Sequence, residues 1–431
     1  MKIAVIGAGF SGLAVAWDLR QAGNEVDVFE AQETAGGLAG GFKHKDWEWS
    51  LEKHYHHVFV SDQEIKSFLQ ELELEEQLQF YDVFTGTYFQ NQIAALDSPL
   101  TLLRYPFLTF IGKLRTALTL AFLKFWPWGE ILERWTAEKF LKITNGRNAW
   151  QVLWQPLFEK KFGKYSQEIN AAWFWARIHS RSKKLGYFTG GFQSLVDKIV
   201  KKLSTAGVNF YLKNKVDKIE KKQTKQGNKY LLSTTKKRKY DAVVFTGNSQ
   251  QLLELIKLPK DYQQELKALS SLGAMTLVLE LTKPFFDEAV YWLNINDLDM
   301  PFLAVVEQTN LISSSKYNRS HLVYVGNYLS PTEKDFKLNK KQVFKKYQPF
   351  LEQLSPGFSE NIKNSFLFKN EAAQPVVGKN YSRILPKIIT PYPGLYWAGM
   401  QQIYPFDRGV NYAVKIGRQA AAKILTAVDY D

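Results

Sequence analysis

The chain has no cysteine. Disulfides, thiolate catalysis, thiolate metal ligation and cysteine-linked cofactors are excluded, and redox logic does not fix the compartment. Histidine is scarce, with six residues in 431. No run reaches the roughly 18 uncharged apolar residues of a membrane-spanning helix. The opening MKIAVIGAGFSG runs straight into a strand and a turn, which leaves no room for a signal peptide. A cytoplasmic location is therefore expected. The net charge of +14 is carried mostly by scattered lysine. No nucleic-acid-binding motif accompanies it, so no nucleic-acid partner is expected.

What is present is an ordinary folding composition, 45% hydrophobic and 23% charged. The length calls for two or three domains. Aromatic residues reach 15%, and such side chains line pockets for flat or greasy ligands as well as fill cores.

The strongest signal is at the N-terminus. KIAVIG reads as a buried parallel strand, GAGFSG supplies Gly7, Gly9 and Gly12, and LAVAWDLRQAG reads as a helix. A second strand, EVDVFE, ends on Glu30. Gly7 allows the tight turn, Gly9 lets the backbone approach a pyrophosphate, and Gly12 lets helix pack on strand. Ser11 lies in the same loop. The helix N-terminus supplies N–H groups and positive dipole, and Glu30 stands where an adenosine ribose would be held. The fingerprint predicts a bound dinucleotide without separating NAD from FAD.

The next glycines, in AQETAGGLAGGF, make that separation. They resemble the second glycine motif of the FAD superfamily that includes protoporphyrinogen oxidase, phytoene desaturase and the flavin amine oxidases. The resemblance implies FAD as cofactor, with Gly36, Gly37 and Leu38 beside it; Leu38 occupies a place where the family often has Arg. Gly190-Gly191, a helix and a strand reaching Val216 resemble the superfamily's adenine-contacting segment. RKYDAVVFTG resembles its strand-Thr-Gly element and brings in Thr246. The C-terminal GLYWAGMQQIYPFDRGVNYAVKIGRQ resembles its terminal FAD motif, which carries over to Gly399, Met400, Gly409, Val410 and Asn411. A helix N-terminus there would stabilise negative charge on the flavin. The resemblance covers nearly the whole chain, strongly at both ends.

These readings give an α/β fold. A discontinuous Rossmann-like FAD-binding domain takes residues 1–97, 185–268 and 376–431. A helical insertion takes 98–184 and a mixed-sheet substrate domain takes 269–375. The insertion is unusually aromatic. Its amphipathic segment 98–130 either caps a hydrophobic substrate pocket or lies on a membrane surface. No second G-x-G-x-x-G is found, so no built-in pyridine-nucleotide reductase is expected.

The stretch HYHH holds His54, His56 and His57. Read as a strand, it puts His54 and His56 on one face and His57 on the other. Two histidines on a face are too few for a metal site, and none is predicted. The place of HYHH after the glycine motifs makes it a wall beside the flavin or a structural element. It also resembles the histidine-aromatic-histidine element of UDP-galactopyranose mutase. Candidate catalytic residues are His54, His56, His57, Arg408 and Tyr404. ARIHSRSKK adds Arg177, Arg181, Lys183 and Lys184 as candidate anion binders. The expected function is an FAD-dependent oxidase or desaturase acting on a hydrophobic small-molecule substrate, anionic if these cations are used. Oxygen or a quinone would be the electron acceptor. The alternative is a redox-neutral flavin mutase acting on a sugar nucleotide, and a third is a membrane-surface protein that keeps FAD structurally.

Overall fold

The computed structural model describes residues 1–224 and 227–428; the few positions of the FAD-binding segments outside these are not described. Lys2–Ile6 forms the strand expected of KIAVIG, and Ile3, Ala4 and Val5 are fully buried. It pairs in parallel on both sides, with Val5 opposite Val28 and Val244. The sheet has the order Asn209–Tyr211, Glu25–Phe29, Lys2–Ile6, Ala242–Phe245, Leu395–Trp397. Parallel neighbours need crossover connections. The chain therefore leaves this sheet twice, for long excursions, and returns each time.

Helix Phe10–Gln21 follows the first strand and packs against the C-terminal helix Val410–Val428. Small residues allow the approach: a Cβ on Gly417 would run into the Ser11 carbonyl. A Cβ on Gly12 would run into the Gly7 carbonyl, which is the helix-on-strand contact expected of that glycine.

The second sheet has seven strands, in the order Ile362–Pro375, Ser271–Leu281, His321–Leu329, Ala304–Glu307, Val290–Ile295, Phe84–Phe89, Gln92–Ala95. Side chains alternate across it. Val278, Leu322 and Tyr324 join the core shared with the dinucleotide domain; Leu277, Leu279, Val323 and Val325 pack under helix Lys340–Leu354. The hairpin Phe84–Ala95 turns at Gln90 and Asn91, both at positive φ, as a two-residue turn requires. It joins this sheet through a parallel pairing with Val290–Ile295. The larger sheet thus begins at Phe84, inside the segment 1–97 assigned to the FAD domain from sequence.

In the chain, the helical insertion follows the hairpin Phe84–Ala95: Pro99–Arg104, Phe110–Phe125, Ala137–Ala149, Gln155–Phe162 and Ala171–Ser180. Its aromatic content is partly core, with Phe158, Phe162, Trp173 and Phe174 packed together. No helix among the described residues is long and apolar enough to cross a membrane.

Candidate functional site

A single cavity of about 1350 Å³ runs from the parallel sheet into the space between the seven-stranded sheet and the insertion. Ordinary small-molecule sites span roughly 300–1,000 Å³, so this one has room for more than one molecule. At one end the two glycine loops meet. Gly7 is at φ +106°, and a Cβ there would run into Thr246 Oγ1. Thr246 Oγ1 donates to the Ile6 carbonyl at 2.9 Å, which fixes the turn. Gly9 and Gly37 face each other as bare backbone, and a Cβ on Gly37 would stand 3.2 Å from Gly9 Cα. Gly36 N–H donates to the Ala8 carbonyl at 2.9 Å and ties the loops together.

Glu30 directly follows the second strand and lines the cavity. Its carboxylate accepts from Ala8 N–H and Gln32 N–H, both at 2.9 Å, with lone pairs left over for hydroxyls. Ser11, Leu38, Val216, Met400, Gly409, Val410 and Asn411 also line this cavity. Val410 starts the C-terminal helix, so its first N–H groups have no partner within the helix. A pyrophosphate fits the bare glycine backbone, a ribose fits Glu30, and an electron-rich ring edge fits the helix end. The residues present thus fit FAD.

Two side chains assigned to the cofactor are engaged elsewhere. Ser11 Oγ donates to the Ala398 carbonyl at 3.0 Å, and Asn411 Oδ1 accepts from Ile65 N–H at 3.1 Å, holding the start of helix Gln63–Glu71. Gly12 and Gly399 lie outside the cavity lining. Gly399 is a packing position, since a Cβ there would meet the Gly247 carbonyl at 2.5 Å.

HYHH is not a strand. Ladder structure stops at Glu52 and resumes at Val58, and residues 53–57 are irregular. Strand alternation therefore does not apply, and His54, His56 and His57 all line the same cavity. His54 Nδ1 is 2.8 Å from Thr276 Oγ1, and His56 Nδ1 is 2.6 Å from the His54 carbonyl. A carbonyl only accepts, so His56 carries its proton on Nδ1 and its Nε2 is an acceptor. Burial pushes all three imidazoles down, to about 3 for His54, about 4 for His56 and about 3 for His57. Neighbouring Arg408, Arg177 and Arg181 add to the effect. All three are neutral at pH 7. No cluster of three His, Asp or Glu among the described residues is placed to hold a metal.

Beyond the histidines the cavity is cationic and aromatic. Arg408 lines it, donating to Gln374 Oε1 at 3.2 Å and to the Tyr328 hydroxyl. Arg177, Arg181 and Lys183 line it too, whereas Lys184 pairs with Asp82 at the surface, 3.4 Å away. The sequence missed Lys161, which is buried on helix Gln155–Phe162 with Nζ 3.0 Å from Asp407 Oδ2. Arg177 reaches the same carboxylate at 3.4 Å. Burial pushes the Lys161 amine down to about 7 despite Asp407. Burial alone would raise Asp407, yet Lys161 and Arg177 hold its carboxyl below the usual range. The available signal was a lysine in EKKF on a helix whose neighbours Phe158 and Phe162 are core. Tyr55 and Trp292 complete the wall. Tyr404 is corrected: it is not in the cavity lining, and its hydroxyl donates to Glu133 and accepts from Asn170, both at 3.0 Å. It braces the insertion against the C-terminal loop.

A two-loop dinucleotide cradle that continues into a walled second compartment defines a cofactor-dependent enzyme with a doubly wound nucleotide domain. The pattern of the flavin containing amine oxidoreductase family matches residues 10–425, and the chain belongs to that family. It is an FAD-dependent oxidoreductase by family. The fold is similar to that of a protoporphyrinogen oxidase so described from Exiguobacterium sp. 255-15, with TM-score 0.76, 16% identity and 98% of each chain covered. It is also similar to the cyclohexylamine oxidase of Brevibacterium oxydans IH-35A, with TM-score 0.75, 14% identity and 99% of each chain covered. At these identities the likeness is one of fold. Among curated proteins, the 15-cis-phytoene desaturase of Synechococcus elongatus is 32% identical over 80 residues, 19% of this chain and 17% of its own length. The L-amino-acid oxidase of Crotalus adamanteus is 41% identical over 50 residues, 12% of this chain and 10% of its own length. The matched part is thus a small fraction of those relatives.

Proposed function

We propose that this enzyme oxidises a hydrophobic substrate that carries an anionic group, in the manner of a protoporphyrinogen oxidase or phytoene-type desaturase. One observation carries the reading: the compartment beyond the FAD cradle is lined by Lys161, Arg177, Arg181 and Arg408, which outnumber the nearby carboxylates Asp407 and Asp97, among apolar and aromatic walls. FAD, when bound, accepts the substrate's electrons and hands them to a second acceptor. The chain's own residues do the rest. Arg408 and Arg177 hold a carboxylate by directed, charge-assisted hydrogen bonds. Tyr55, Trp292 and Leu153 exclude water and pack the apolar body. His56, neutral with Nε2 free to accept, can take a proton from the substrate as it is oxidised.

The same charge disfavours a protonated amine, which the cationic wall would repel. The mutase reading has support of its own, because the arginines suit a pyrophosphate and histidines line the same cavity.

The test is an anaerobic spectrum of the FAD-loaded protein against porphyrinogens, anionic polyprenoids, amines and sugar nucleotides. Bleaching by a porphyrinogen or anionic polyprenoid, with none by amines, is expected. Bleaching by an amine overturns the reading. Isomerisation of a sugar nucleotide only after dithionite reduction replaces it with the mutase.

A further inference from the structure

Helix Phe110–Phe125 is built inside out. Its buried positions include the small or polar Gly112, Thr116 and Thr119, with Leu123 the only large apolar side chain among them. Its exposed positions are Phe110, Ile111, Leu114, Leu118, Phe122 and Phe125, with 77% of Phe110 and 81% of Phe125 accessible. These lie close to the 3.6-residue period and form one stripe. A helix on an ordinary protein surface buries that stripe and shows the small polar one. The inversion is not isolated. Among the described residues, 13 of the 20 exposed large apolar side chains fall between Leu100 and Ile143. Such a concentration of exposed apolar side chains marks an interaction surface.

Three features select the occupant. Trp126, Trp128 and Trp135 are exposed around the stripe, and tryptophan favours the boundary between headgroups and acyl chains. Residues 98–147 contain eight Lys or Arg and three Glu, a net +5 on the surrounding surface. No helix among the described residues is long and apolar enough to cross a membrane, and the stripe occupies one face of its helix, a geometry suited to contact with one leaflet.

We propose that this face docks on an anionic lipid bilayer. The helix that presents the stripe is also a wall of the substrate compartment, through Thr116, Ala117, Leu120, Ala121 and Lys124. Exposed Pro99, Phe125 and Lys183 line the cavity as well, so one of its mouths lies on the docking face. Thr116 Oγ1 is buried without a hydrogen-bond partner among the described residues, and so is available to a polar group of an entering molecule. The bilayer is thus also the source of substrate, a step that rests on the hydrophobic anionic substrate proposed above.

The experiment is co-sedimentation of the FAD-loaded protein with vesicles of phosphatidylcholine, with and without phosphatidylglycerol, and no substrate present. Binding at least tenfold tighter to the phosphatidylglycerol vesicles is expected, with tryptophan emission quenched by brominated lipid. The variant F110S/L118S/F122S should lose this binding and keep its flavin spectrum. Those three side chains are exposed, so the fold does not need them. Failure of the wild type to sediment overturns the proposal. So does a stable dimer that the same triple variant converts to monomer, since a second copy then covers the face. Neither result touches the redox reading, which the bleaching spectrum tests without lipid.

Discussion

Lys161 sits over the rings of Trp173 and Tyr328, with Asp407 and Arg177 beside it. Its amine is half protonated near pH 7 because burial opposes the charge. As pH rises through 7 the compartment loses a positive charge, so KM for an anionic substrate should climb. Lys161→Met should raise KM about tenfold at pH 6 and flatten that climb, with FAD content unchanged. Steady-state kinetics between pH 6 and 8.5 check this. Glu52 is a second buried group with no part in the chemistry. Its carboxylate accepts from Tyr187 Oη and Phe192 N–H, both at 2.7 Å, yet burial pushes it up to about 7. Between pH 4.5 and 7 the folded carboxyl keeps a proton that the unfolded one has released. Stability therefore falls as pH rises across that window, by up to about 3 kcal/mol at about 1.36 kcal/mol per unit. In Glu52→Gln the thermal midpoint should lose this part of its pH dependence. Neither residue's environment was legible in the sequence, because the groups around each come from segments far apart in the chain.

Elements divide by how local their causes are. The glycine loops were legible, because positive φ at Gly7 and bare backbone at Gly9 are demands that one stretch of sequence expresses. Gly9→Val keeps a space where a Cβ fits, 3.8 Å from Gly37, but fills the cradle. The variant should fold and bind FAD at least tenfold more weakly, as flavin absorbance of the purified protein would show. The irregular course of HYHH was not legible. Its alternating apolar character suits a strand, but the chain there crosses from Glu52 to Val58 without a partner strand. The role of Asn411 was hidden for another reason. Its place at the C-terminal helix start is local, but its partner Ile65 is 346 residues away. Asn411→Ala should cost about 1 kcal/mol through the lost hydrogen bond and leave flavin content intact. Thermal melts with flavin quantitation separate these outcomes.

At the scale of the whole molecule, two sheets meet along one cavity. The parallel sheet supplies the nucleotide end, while the mixed sheet and the insertion supply a cationic compartment. The FAD half was foreseeable from motifs at the two ends of the chain. The compartment's charge was not, because Lys161, Arg177 and Arg408 come from two helices and a loop that only the fold brings together. The inverted helix Phe110–Phe125 was seen as an amphipathic segment, but which face it exposes is set by packing. The central claim is that charge in this compartment selects an anionic substrate. The most direct measurement takes the donor that bleaches the flavin and compares it with its methyl ester, which keeps the reacting skeleton and loses the charge. The account predicts that half-bleaching of the wild type needs at least tenfold more ester than acid, and that K161M/R408M removes the difference. Equal concentrations of acid and ester in the wild type would contradict it.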